Sequence, residues 1–213
     1  MRIRRVAGPV AFTISVVVLL VLLVHATRNP DLPQFDGKAM AARLLLFPLA
    51  AAIVPAGWWF VHRRRRHLSA VAFPWAAATL FVLPFVIDLL GNAFTLYIDI
   101  EHFDDLVHTI NPIIGVAGVA LLLDRTSAPR WTVWTMAFGL GCAAHICFEI
   151  IEYLLLEGLG AVELDLSLSD TLSDLAYGML GAAIGACVPW LGGARTERAV
   201  RGESHAPRGD RDV

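Results

Sequence analysis

The chain has 213 residues, 57 % of them hydrophobic and 17 % charged, with a formal net charge of −2 and a mean hydropathy of +0.63. That balance excludes an ordinary soluble domain, where about a quarter of residues carry charge. The apolar residues fall into six blocks, each long enough to cross a hydrocarbon core of about 30 Å, which takes roughly 20 helical residues.

In chain order the blocks cover residues 6–26, 39–61, 68–90, 107–123, 131–156 and 172–191. Lipid offers the backbone no hydrogen-bond partner, so each must be a helix. The first follows the basic stretch MRIRR and ends near Val24-His25-Ala26, a pattern also compatible with a cleaved signal peptide. The second and third carry Pro48, Pro55, Pro74 and Pro84, positions that could hinge. Between them lies HRRRRH, residues 62–67, which in a short connection reads as a topology signal; no nucleic-acid partner is expected. Asp99, Glu101 and His102 form an acidic connection before the fourth block. Cys142, Cys147 and Cys187 lie within spans and form no CxxC pair, so they read as small packing residues. Residues 192–213, rich in Arg, Gly, Glu and Pro, are expected to be a disordered cytoplasmic tail.

Fourteen of the 17 basic residues sit on alternate connections: Arg2, Arg4 and Arg5; Arg63 to Arg66; Arg125 and Arg130; and Arg195, Arg198, Arg201, Arg208 and Arg211. Only Arg28, Lys38 and Arg43 fall on the other side. The expected fold is therefore all-α, a polytopic membrane protein whose six-helix bundle occupies residues 1–191. Both termini are expected in the cytoplasm, and a cell (inner) membrane location is expected.

Ionisable residues inside spans are costly and mark candidate functional sites. Here they are Asp88, His108, His145, Glu149, Glu152 and Asp174. At a rise of about 1.5 Å per residue, Asp88, His108, His145, Glu149 and Asp174 lie between roughly 20 and 30 Å above the cytoplasmic ends of their helices. Helical periodicity aims them one way: His145, Glu149 and Glu152 share an arc of about 60°. Asp104, His108, Asn111 and Gly115 form a second stripe, and Asp170, Asp174, Tyr177 and Gly181 a third. Asp88, Asn92 and Thr95 form a fourth if that helix continues past Gly91. Gly181 and Gly185 have the GxxxG spacing that permits close helix packing. Together these stripes predict a polar pocket opening outward.

Some of the acids have a structural reading. Asp104 and Asp105 complement the dipole at a helix start, and Thr171 with Asp174 has capping-box spacing. Glu149 and Glu152 have none, because they lie near a helix C-terminus, where the dipole disfavours anions. No Lys or Arg occupies the same ends of helices 3 to 6, so a metal or a proton is the expected counter-charge. Imidazole with carboxylates suits Zn, Mn, Fe or Mg. The expected ligands are His108, Glu149, Glu152 and Asp174, with Asp104 or His145 as general base or orienting group. Asp88, Asn92, Asn111, Asp170 and Tyr177 complete the expected pocket. A metal-assisted enzyme acting on a lipid or envelope substrate is the leading reading. A cation- or proton-coupled transporter and a non-catalytic membrane scaffold are the alternatives.

Three motifs, Phe103-Asp104-Asp105-Leu106-Val107-His108, Phe148-Glu149-Ile150-Ile151-Glu152-Tyr153 and Asp170-Thr171-Leu172-Ser173-Asp174-Leu175, resemble those of the YjdF-like family of small bacterial inner-membrane proteins, and more distantly VanZ-like proteins. The resemblance covers roughly residues 85 to 190. It implies roles for Asp104, His108, Glu149, Glu152, Asp170 and Asp174. This chain differs from the family pattern at Thr109, at Tyr153 and in the LDLSLSD stretch before the last motif.

Overall fold

A computed structural model describes the chain at residues 2–64, 72–158 and 168–191, with side chains described at 6–64, 72–154 and 171–191. The backbone can satisfy itself in an apolar medium only as helix, and the described residues form α1 (Arg2–Arg28), α2 (Met40–Ala51), α3 (Ile53–Arg64), α4 (Trp75–Ala93), α5 (Leu96–Asp99), α6 (Phe103–Leu123), α7 (Arg130–Gly158), α8 (Leu168–Gly185) and α9 (Val188–Leu191). Six spans result, with α2 and α3 sharing the second and α8 and α9 the sixth. The second span breaks at Ala52 for a local reason. Pro55 has no N–H for the Ala51 carbonyl one turn back, and its ring crowds that oxygen.

Hydrogen bonds and ring contacts fix which helix ends meet. At one end Arg125 Nη2 donates to the Ala72 carbonyl at 2.7 Å. There Phe12 of α1 packs on Phe73 and Trp75, with ring centroids 6.4 and 5.9 Å apart. Arg63, Arg64, Arg125 and Arg130 gather at this end, together with exposed Trp59, Trp131 and Trp190, as in an interfacial aromatic belt. At the opposite, acidic end the starts of α2, α6 and α8 meet the ends of α4 and α7.

Two apolar clusters hold the spans. Leu19, Leu23 and Ala26 of α1 pack with Phe47 and Ala51 of α2 and Val82, Val86 and Leu89 of α4. Val116 and Ala120 of α6 pack with Ala137 of α7 and with Ala182 and Ala186. Helix α6 packs against α4, α7 and α8 and so joins the two groups. Its seam with α8 is very close: a Cβ on Gly181 would fall 2.3 Å from the Thr109 carbonyl oxygen, and one on Gly185 2.5 Å from that of Ile113. The GxxxG spacing thus brings two backbones together where lipid supplies little hydrophobic drive. Outward-facing Val17, Val21, Leu140, Ile150 and Leu180 remain exposed, as lipid-facing residues do.

Candidate functional site

Two linked groups of polar side chains occupy the acidic end. The first is built on α2 and α4. Arg43, one turn into α2, donates from Nη1 to Asp88 Oδ2 at 2.6 Å and from Nη2 to Glu152 Oε1 of α7 at 2.9 Å. Its side chain is 11 % exposed, against 14 % for Asp88 and 27 % for Glu152. Asp88 Oδ1 accepts from the Tyr97 hydroxyl at 3.0 Å. Asn92, 2 % exposed, donates from Nδ2 to the Asp88 carbonyl at 2.9 Å and accepts from Lys38 Nζ at 2.7 Å. The Lys38 ammonium also lies 4.6 Å from the Tyr97 ring centroid. Burial, and next the neighbouring Arg43, hold the Lys38 pKa below its ordinary value. Burial, and next the Asp88 charge, hold that of Tyr97 above its own. Two non-glycine residues adopt left-handed backbone here, Ala39 at φ 51° and Thr95 at φ 59°. Each costs about 1 kcal/mol or more, because Cβ crowds the carbonyl in that region.

The second group centres on His108 of α6. Its Nδ1 lies 3.3 Å from Glu149 Oε1. On the other edge of the ring, Nε2 lies 3.5 Å from Asp104 Oδ1 and 3.9 Å from Asp174 Oδ1. His145 stacks edge-on to His108 at 5.4 Å and sits 3.7 Å, through Nε2, from the same Glu149 oxygen. That Nε2 is also 2.9 Å from the Asp174 carbonyl oxygen. A carbonyl cannot donate, so His145 Nε2 carries the proton and is the donor. Asp104 is half exposed, whereas the side chains of His108, His145, Glu149 and Asp174 are between 7 and 12 % exposed. Two sets of potential ligand atoms, each mutually within 4.8 Å, share His108: one with His145 and Glu149, the other with Asp104 and Asp174.

Of the residues singled out from sequence, Asp88, Asn92, Asp104, His108, His145, Glu149, Glu152 and Asp174 come together here. Asn111 lies one turn below His108, and its buried Oδ1 lacks a hydrogen-bond partner among the described residues. Tyr177 does not join, being 39 % exposed. The buried face of α8 runs instead through Asp174, Gly178, Gly181 and Gly185. Gly178 is required by the site, since a Cβ there would fall 2.1 Å from the His145 ring. The side chain of Asp170 lies outside the described residues, as do the loop acids Glu163 and Asp165 and the tail from residue 192.

Three expectations need correction. The acids do have a basic counter-ion, because Arg43 reaches across from α2 to Glu152 and Asp88. Thr95 does not extend the stripe of Asp88 and Asn92: α4 ends at Ala93, and the Thr95 hydroxyl turns to the Phe94 carbonyl and Asp99. Thr171 with Asp174 is no capping box, because α8 already begins at Leu168 and places Asp174 nearly two turns inside. A concavity with a volume of about 530 Å³ lies away from the cluster, along Leu20, Val24, Arg28 and Asn29 of the α1 side.

No curated protein and no solved structure matches the chain. A family model described as a predicted membrane protein, DUF2238, matches residues 9–194, which takes in both halves of the polar cluster and all but the first three residues of the six spans. The chain belongs to that family of membrane proteins.

Proposed function

We propose that the cluster holds a divalent cation on the Nε2 edge of His108, with Asp104 and Asp174 as the oxygen ligands, in an enzyme that acts on a lipid or envelope substrate. The charge balance is the observation that carries this reading. Asp88, Asp104, Glu149, Glu152 and Asp174 bring five carboxylates together, against the two fixed cations Arg43 and Lys38. Five acids against two cations leave three negative charges; a protonated His108 lowers that to two, and a divalent ion to one.

The choice of edge follows from the hydrogens. One imidazole cannot serve a single ion through both nitrogens. With the ion at Nε2, Nδ1 keeps its proton and faces Glu149 at 3.3 Å, the carboxylate–histidine–metal arrangement that fixes ring orientation. The opposite edge is less suited, because His145 spends its Nε2 proton on the Asp174 carbonyl. Tetrahedral ligation at about 2.1 Å places ligand atoms about 3.4 Å apart, close to the 3.5 and 3.9 Å found. Glu152, paired with Arg43, is not a ligand in this reading. Asp104, half exposed, leaves the ion reachable. A bound cation of this kind polarises a substrate oxygen or activates water. The motifs that resemble those of YjdF-like proteins include all three ligands. With both termini in the cytoplasm, the site faces the outer leaflet.

Metal analysis of the purified full-length chain tests this. About one ion per chain is expected, lost in His108→Ala and Asp174→Asn. A metal-free wild type, purified without chelator and after growth with added Zn and Mn, would refute it.

A further inference from the structure

Lys38 stands outside the ion-pair network. Its ammonium donates to Asn92 Oδ1 and lies over the Tyr97 ring, and it forms no ion pair among the described residues. Asn92 is already committed on its other edge to Asp88, so Lys38 faces a neutral acceptor that has no charge to offer. The backbone is strained on both sides of this contact. Ala39 (φ 51°) directly follows Lys38, and Thr95 (φ 59°) lies two residues before Tyr97. Ala39 and Thr95 are the two non-glycine residues in the left-handed region among those described. Such strain gathers where a side chain must be held in place for a ligand. Arg43 cannot take that ligand, because both arms of its fork are occupied by carboxylates.

We propose that Lys38 receives the phosphoryl group of a phosphorylated substrate beside the Asp104–His108–Asp174 site, a reading that rests on the metal-assisted function above. An ammonium binds phosphate as a point charge with three donors, and at most one of those donors is used here. A phosphoryl group has oxygens enough to meet an ammonium and a divalent ion at once. Asp104 is among the carboxylates whose charge acts on Lys38, so the two subsites are electrostatic neighbours. The lowered pKa of Lys38 is consistent with a cation held without a counter-ion. The phosphoryl group can be lipid-borne or soluble, and the experiment separates these.

The full-length chain in a maltoside detergent, stripped with chelator after its metal content is recorded, is melted with dioctanoyl phosphatidic acid, with inorganic phosphate, or with dioctanoylglycerol. At about 100 times Kd, a phosphoryl ligand should raise Tm by about 5–11 °C. The shift should vanish in Lys38→Met and persist in Lys38→Arg, with the metal content of both unchanged. A shift with phosphatidic acid alone assigns a lipid headgroup; a shift with inorganic phosphate as well assigns a soluble ester. An equal shift with dioctanoylglycerol, an undiminished shift in Lys38→Met, or no shift in wild type overturns the proposal. Because the melts are run without metal, a Lys38-dependent shift in a chain whose metal content before stripping was nil would retire the metal reading and leave the phosphoryl site standing.

Discussion

Arg43→Leu removes the cation shared by Asp88 and Glu152 and leaves two largely buried carboxylates facing each other across the seam between α4 and α7. Removing one partner of a buried ion pair costs about 3–5 kcal/mol, and partial exposure of Glu152, at 27 %, argues for the lower end. The two acids are not equally stranded. Asp88 keeps the Tyr97 hydroxyl at 3.0 Å and a weak contact with Asn92 at 3.5 Å, whereas the hydrogen bond that Glu152 makes among the described residues is to Arg43. A loss of about 3 kcal/mol lowers Tm by about 6–12 °C in a chain of this size. Glu152→Gln placed on Arg43→Leu should restore more of that loss than Asp88→Asn does, because it neutralises the acid with fewer alternatives. Thermal unfolding of the wild type and these three variants in detergent reads this directly. If Arg43→Leu leaves Tm unchanged, or if Glu152→Gln gives no recovery, the bridge does not carry the charge balance assigned to it.

Glu152→Gln alone should keep the metal content of wild type, whereas Asp104→Asn should lower it; loss of metal from the Glu152 variant would move the site to the other edge of His108. Gly178→Ala and Gly181→Ala should each destabilise by about 1–3 kcal/mol through overpacking, since a Cβ would meet the His145 ring at 2.1 Å and the Thr109 carbonyl at 2.3 Å. Gly139→Ala and Gly57→Ala, with nothing within 4 Å, should be neutral or slightly stabilising by helix propensity. Lys38 gives a pH signature. Its folded pKa is depressed, so the unfolded chain holds the proton more tightly, and its contribution to stability rises as pH climbs toward 10.5. Tyr97, shifted upward, acts in the opposite sense above pH 10. Stability followed from pH 8 to 10.5 in a Tyr97→Phe background should therefore rise, and Lys38→Met should flatten that rise.

The six spans were legible because hydropathy measures what lipid demands, and the bundle end bearing the acids was legible from helical rise and periodicity. Asp104 and His108, or His145 and Glu149, lie four residues apart, and a helix cannot turn such pairs to opposite faces. What local periodicity does not encode is which helix neighbours which. Arg43 was therefore counted only as a topology marker, although its side chain spans from α2 to both α4 and α7. A signal was nevertheless present. In a chain that sends fourteen basic residues to alternate connections, Lys38 and Arg43 fall on the other side. A cation that resists the topology rule needs a local reason, and for Arg43 the acids supply it. Tyr177 was placed in a stripe with Asp170, Asp174 and Gly181; burial of Gly178 and Gly185 beside Asp174 and Gly181 turns the buried face away from it.

The seam itself explains why so much charge is held there. One apolar cluster joins α1, α2 and α4, and the other joins α6, α7 and α8. At the acidic end the link from α2 to α7 is made by Arg43 and Glu152. Electrostatic contacts are directional and few, so such a seam can separate more cheaply than an interdigitated apolar one. Helix α2 is also the helix that breaks, at Ala52. A tilt of α2 about that break would withdraw Arg43 from Glu152 and add one uncompensated negative charge beside His108. In the metal reading proposed above, access and cation affinity would be coupled through this single side chain. If so, Arg43→Leu should tighten metal binding while lowering Tm, and no purely structural role for Arg43 predicts both changes together.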